Sequence, residues 1–135
     1  MLCFPKTDLP LVAWVALVPL LYQLTRSTLR QGFVLGAVTG LFAFTGLVYW
    51  TSDVMVTYGG LSRWVSVGAL LALVGYLAFF TTIFGGLTAL ACRLGGAQAI
   101  LISPVLWVGC EIFRKYPWGG FPWCQFGYSQ VGVLP

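Results

Sequence analysis

Charged residues divide this chain into long uncharged segments, and their spacing limits the fold more than any single motif does. A helix that crosses a membrane needs about 20 consecutive, mainly apolar residues. The second and third uncharged segments exceed this length, and the first and fourth lie near its lower limit. Because a backbone in lipid must satisfy its own hydrogen bonds, each segment is expected to be helical. The four uncharged segments are 9–25, 31–52, 64–92 and 94–110.

This pattern predicts an all-α, polytopic integral membrane protein with about four transmembrane helices joined by short loops. The third segment is longer than one vertical crossing needs, so we expect tilt or an end that runs past the bilayer. Pro19 and Pro104 lie inside the first and fourth segments and are expected to kink them. We place the helices near 9–25, 31–52, 64–92 and 94–115, followed by an aromatic loop at 116–130.

The composition agrees with a membrane protein and argues against other classes. Of the 135 residues, 59% are hydrophobic and 7% are charged, whereas a soluble domain carries about 25% charge. Lysine and arginine stand mostly at the ends of the apolar segments and form no basic run, so we expect no nucleic-acid partner. The chain has no histidine and no C-x-x-C pair, so we expect neither a metal site nor a cofactor.

Charge alone leaves the orientation in the membrane open. The positive-inside rule compares lysine and arginine on the two sides, and here three residues oppose four. One side carries Arg26, Arg30 and Arg93, and the other carries Lys6, Arg63, Arg114 and Lys115.

Three glycines recur every four residues in the second segment. Gly32, Gly36 and Gly40 therefore share one helix face. A face without side chains lets a neighbouring helix approach closely. We expect this face to pack against another helix of the same chain, with a homodimer interface as the alternative.

Charges gather at the end of the fourth segment. Glu111 and Lys115 are four residues apart and Arg114 is three from Glu111, which is the spacing of an ion pair on one helix. A glutamate beside an apolar helix needs such partners. With Cys124, the same residues are also the parts of a thioester-forming site, but neighbours on one helix turn favour the structural ion pair, and we assign no catalytic residue to this chain.

The remaining cysteines allow little to be concluded. Cys92 and Cys110 lie in or beside apolar helices, where a thiol behaves as a small hydrophobe. Cys3 and Cys124 are separated by an even number of crossings and share an aqueous side, so a disulfide between them stays an open alternative.

The stretch KYPWGGFPWCQFGYSQ at 115–130 joins prolines, glycines and aromatic rings. Pro117 and Pro122 prevent a regular helix there. Trp118 and Trp123 suit the headgroup layer, where the ring is buried and the N–H is wet. Two interpretations remain from the residues alone: an interfacial anchor, or a rigid rim around a lipid-facing site.

These motifs resemble the bacterial apolipoprotein N-acyltransferases along nearly the whole chain. The family shows a W-x-x-x-E-x-x-R segment followed by G-F-P-W and G-Y-S-Q, and the last two motifs are the specific part. An F-P-P-F-D loop is similar to FPKTD at 4–8, with Lys6 and Thr7 as departures, and LVYW followed by YGGL also fits. The matching residues are Trp107, Glu111, Arg114, Gly120 to Trp123, and Gly127 to Gln130.

The resemblance implies a specific reaction in the bacterial inner membrane. The family moves an acyl chain from a phospholipid donor to the α-amino group of the diacylglyceryl-cysteine of an apolipoprotein acceptor. It works through a thioester on a cysteine served by a glutamate and a lysine, all in a periplasmic nitrilase-like domain. We expect this chain to be a membrane fragment without that domain and without the family's first helix, and therefore inactive alone. The resemblance also places the loop after the fourth segment in the periplasm.

The expected role of this chain is to support and line the lipid site. The alternative is a small, non-enzymatic membrane scaffold protein, and a transporter is a weaker third choice because no internal repeat is present. The residues expected to contact substrate are Phe121, Pro122, Trp123, Tyr128 and Gln130.

Overall fold

The computed structural model describes residues 15–115, and within this range the chain is built of helices joined by short turns, without a strand. A 3₁₀ helix at Ala97–Ile102 connects the last two α-helices. The α-helices are α1 (Val18–Leu24), α2 (Leu29–Val48), α3 (Thr51–Thr57), α4 (Arg63–Gly95) and α5 (Ser103–Lys115).

Three described segments are long and apolar enough to cross a membrane: Leu29–Val48, Arg63–Gly95 and Ala97–Lys115. Large apolar side chains cover their outer faces; Phe42 and Leu101 are each 80% exposed. Such a surface is unfavourable in water and suits lipid. The predicted all-α membrane class is thereby confirmed. Residues 9–14 of the segment expected near 9–25 lie outside the described residues, and α1 is the helix in its described part.

The centre of the fold is the antiparallel contact between α2 and α4. Gly32, Gly36 and Gly40 are buried on α2. A Cβ atom added at Gly32 would lie 2.7 Å from the carbonyl oxygen of Gly85, and one added at Gly40 would lie 3.0 Å from the Cα of Ala78. The two backbones therefore approach as closely as glycine permits. Since this face is covered by α4 of the same chain, it is not available to a second copy.

Two apolar clusters extend this contact. Phe44 and Val48 continue the glycine face of α2 and pack with Val74 and Leu77 of α4. Near the other end of α2, Phe84 packs with buried side chains of α1 and α4. The antiparallel pair therefore has two ends. We call the end where α2 begins and α4 finishes the Arg93 end, and the opposite one the Arg63 end.

Glycine and proline determine where the last two helices stop and start. α4 runs past Arg93 to Gly95 and stops at Gly96, whose φ of 74° favours glycine. The final segment then opens as a 3₁₀ helix, and α5 begins at Ser103. Pro104 therefore lies in the first turn of α5, where a missing N–H is tolerated. The sequence predicts the fourth segment as one helix kinked at Pro104, but the structure has a 3₁₀ helix followed by α5. Charged residues mark where a segment meets the membrane surface, and they do not determine where a helix starts or ends.

A capping box starts α2. The Thr28 Oγ1 accepts a hydrogen bond from the Gln31 backbone N–H at 3.3 Å, and the Gln31 Oε1 accepts one from the Thr28 N–H at 2.8 Å. Two backbone donors at the helix start are satisfied in this way.

Replacing Thr28 by alanine should cost about 1 kcal/mol, because the first turn of α2 loses its cap. We expect the melting temperature of the chain in detergent to fall by roughly 5 °C. Thr57→Ala is the matched control, since Thr57 is an exposed residue at the last position of α3. Equal melting temperatures for the two variants would contradict the capping role.

Candidate functional site at the end of α5

The charged residues at the end of α5 differ in how far they are buried. Arg114 is buried, with only 4% of its surface exposed, Glu111 is half-buried and Lys115 is exposed. Glu111 and Arg114 line one small cavity between α2, α4 and α5, whereas Lys115 is not among its lining residues. The structure thus brings the glutamate and the arginine to the inside of the bundle and leaves the lysine outside.

Residues of the W-x-x-x-E-x-x-R motif form one face of α5. Trp107, Glu111 and Arg114 follow one another by four and three residues, which is the period of one helix side. All three line the same cavity. The Trp107 ring meets the Phe84 ring edge to face, with centroids 5.0 Å apart. The spacing of the motif is therefore the spacing of the inward face of α5.

A buried arginine requires compensation for the water it has lost. The Arg114 guanidinium carbon lies 5.5 Å from the centroid of the Phe44 ring on α2, close enough for a cation–π interaction. Among the described residues that line the cavity, Glu111 is the only acid and Arg114 the only base. The pair therefore supplies opposite charges to a cavity whose other walls are mainly apolar.

The backbone end of α5 is anchored separately from the Arg114 side chain. The Tyr76 hydroxyl on α4 donates a hydrogen bond of 3.1 Å to the Arg114 carbonyl oxygen, although the two residues are 38 positions apart. Carbonyls in the last turn of a helix have no partner within the helix. The bond therefore satisfies one of them and ties the end of α5 to α4.

The cavity itself is too small for a lipid tail. Its volume is about 10 Å³, which is room for roughly one water molecule. Cys110 also lines it, and both Cys110 and Cys92 carry free thiols. The site around Glu111 and Arg114 can therefore hold the helices together and orient the end of α5, but an acyl chain cannot enter it.

Sequence reasoning placed Glu111 and Arg114 in one ion-pair group but missed Phe44 and Tyr76. A signal for Tyr76 was present, because a hydroxyl inside a long apolar segment needs a hydrogen-bond partner. Nothing in the sequence singled out Phe44. The predicted substrate residues Phe121, Pro122, Trp123, Tyr128 and Gln130 lie outside the described residues, as do Cys3 and Cys124.

Comparison with known proteins agrees with these motifs. The family model of the apolipoprotein N-acyltransferase N-terminal domain matches residues 1–135. The apolipoprotein N-acyltransferase of Geobacter metallireducens is 42% identical over 99% of this chain and 26% of its own length. Those of Photobacterium profundum and Chromobacterium violaceum are 30% and 34% identical over 96% and 85% of this chain.

The match covers nearly all of this chain but only part of each relative. This chain spans about a quarter of the length of the curated relatives, 26% and 25% in the first two. No solved structure matches it significantly. The family model nevertheless covers the chain from residue 1 to residue 135, and the chain therefore belongs to the family of apolipoprotein N-acyltransferase N-terminal domains.

Proposed function

We propose that this chain is the membrane part of an acyltransferase of the bacterial inner membrane. The complete protein would transfer an acyl chain from a phospholipid to the N-terminal diacylglyceryl-cysteine of a lipoprotein. The observation that carries this proposal is the family match over the whole chain, together with the cavity-facing Trp107, Glu111 and Arg114. The spanning helices support the membrane setting of both substrates.

The part played by this chain is support of the lipid site. Residues 116–130 continue directly from α5, whose end is tied to α4 by the bond from Tyr76 to the Arg114 carbonyl. A helix end held in this way gives the following segment a fixed origin at the membrane surface. We place the aromatic loop there, with Phe121 and Trp123 along an acyl chain and Tyr128 and Gln130 near polar groups of the substrate.

The chemical step belongs to residues outside this chain. A catalytic site needs its groups to converge on one reacting atom. Glu111 faces the interior of the bundle, and Lys115, one turn later, is exposed. This difference in burial supports the view that the glutamate, lysine and thiol of the acyl transfer come from another domain of the complete protein.

Replacing Trp123 by alanine in the complete protein tests the lipid-contact role. Loss of a large ring from an acyl chain removes apolar burial of about 1.4 kcal/mol or more, so acyl transfer should fall at least about tenfold. The measurement is transfer of a labelled acyl group to a diacylglyceryl-cysteine peptide. Trp64→Ala is the matched control, because Trp64 is 87% exposed at the start of α4.

The two variants must differ for the proposal to stand. Unchanged transfer and unchanged lipid affinity in Trp123→Ala would remove the loop from the substrate site. Equal losses in both tryptophan variants would indicate membrane anchoring by interfacial rings and not contact with substrate.

A further inference from the structure

A second concave region lies at the Arg93 end of the bundle, away from the end of α5. It is an open hollow of about 770 Å³ between the end of α1 and the start of α2. A volume of about 300–1,000 Å³ is typical of sites for small molecules. Its lining residues include Arg26, Thr28, Arg30, Gln31, Val34 and Leu35.

The two arginines of this hollow have no acidic partner among residues 15–115. The chain has three acids, and two of them are in the described range. Asp53 lies 3.7 Å from Arg63 at the other end of α4, and Glu111 lines the cavity beside α5. Two guanidinium groups therefore face the hollow, and no carboxylate of residues 15–115 neutralises them.

Hydrogen-bond donors of Arg26, Arg30 and Gln31 line the hollow. The Gln31 Oε1 is taken by the backbone N–H and the hydroxyl of Thr28, at 2.8 and 3.0 Å. This leaves the amide NH₂ of Gln31 as its remaining polar group. The Arg26 guanidinium carbon lies 5.2 Å from the centroid of the Tyr22 ring, an arrangement that restricts its position. The two guanidinium groups therefore favour an anion with several acceptor oxygens as the occupant.

The wall of the hollow changes from polar to apolar along α2. Arg30 and Gln31 lie in its first turn, and Val34 and Leu35 lie one turn deeper in the membrane-spanning helix. A lipid has the same order of parts, with a charged head above apolar tails. Free phosphate offers nothing for Val34 and Leu35 to contact, so the apolar wall favours a lipid.

We propose that this hollow binds the phosphate headgroup of an anionic phospholipid, with Arg26 and Arg30 on the phosphate oxygens and Val34 and Leu35 beside the first part of the tails. Basic pockets between transmembrane helices bind such headgroups by the same chemistry. The site is separate from the proposed lipid substrate site. Arg30 and Phe44 are 14 positions apart on α2, which is about 20 Å of helix. The bound lipid would hold α1 against α2 in the leaflet opposite the aromatic loop.

The test is lipid retention by the full chain in nanodiscs of phosphatidylcholine with a minor share of phosphatidylglycerol. The protein is released from the nanodiscs, and the phosphatidylglycerol that stays bound is counted by native mass spectrometry. We expect Arg26→Gln and Arg30→Gln each to reduce retention about fivefold. Arg93→Gln is the matched control, because it removes one exposed charge from the same end of the bundle and is not among the lining residues.

The Arg93→Gln control distinguishes binding of lipid in this hollow from general electrostatic attraction of anionic lipid to the protein. If Arg26→Gln and Arg30→Gln lower retention while Arg93→Gln changes it less than twofold, the hollow is the site. Equal losses in all three variants would mean a diffuse charge effect and overturn the proposal. Retention unchanged in Arg26→Gln and Arg30→Gln would also overturn it. Displacement of the lipid by excess inorganic phosphate would identify a free anion as the occupant and contradict the lipid assignment.

Discussion

Replacing Gly36 by valine is expected to prevent α2 and α4 from packing and to cause a large loss of stability. Gly36 is buried in the middle of the glycine face. A Cβ atom there would collide with the carbonyl oxygen of Thr81 and lie 3.0 Å from the Cα of Thr82. Both are backbone atoms of a helix and cannot rotate away, so the two helices must separate.

Separation of the two helices would loosen the two apolar clusters that extend their contact. Overpacking costs about 1–3 kcal/mol, and more where the surroundings cannot yield. We expect the melting temperature in detergent to fall by roughly 10 °C or more, with much of the chain lost to aggregation during purification. The measurement is thermal unfolding followed by size-exclusion chromatography of chain extracted from membranes.

Gly75→Val is the control for this prediction. Gly75 lies within α4, but a Cβ atom added there meets nothing within 4 Å. The control makes the same change of residue in a membrane helix without a collision. If Gly36→Val melts at the same temperature as Gly75→Val, the close approach of α2 and α4 is not what stabilises the bundle.

The fold class could be predicted because its cause is local to the sequence. Long uncharged segments require helices in lipid, whatever those helices pack against. The repeat of Gly32, Gly36 and Gly40 likewise indicates one helix face, since every member comes from the same segment. What this repeat could not decide was the identity of the partner, and a second copy of the chain and a helix of the same chain remained alternatives until α4 was seen on that face.

The arrangement at the end of α5 depends on contacts between distant segments. Spacing placed Glu111, Arg114 and Lys115 within reach of one another, but it could not show that Arg114 is buried and Lys115 exposed. That difference depends on α2, whose Phe44 ring lies against Arg114, and on α4, whose Tyr76 bonds to the same residue's carbonyl. Such contacts leave no periodic signal in the chain.

Arg114→Leu is expected to destabilise the chain and to impair acyl transfer in the complete protein. Among the described residues that line the cavity, the variant removes the only base and leaves the half-buried Glu111 as the only acid. Loss of a charged partner costs about 1–3 kcal/mol at a partly buried group, less than the cost in a fully buried pair. The bond from Tyr76 is kept, since its acceptor is the backbone carbonyl of residue 114, and the variant therefore isolates the guanidinium.

A second substitution separates the charge from the packing of the side chain. Glu111→Gln removes the acidic charge beside the cavity, so the double variant Glu111→Gln/Arg114→Leu should recover part of the lost stability. Lys115→Gln, an exposed neighbour in the same turn, should change the melting temperature by less than about 2 °C. A double variant no more stable than Arg114→Leu would mean that Arg114 acts by packing on Phe44. Continued low transfer in a restabilised double variant would show that the charged pair orients α5 for the reaction and does more than stabilise the fold.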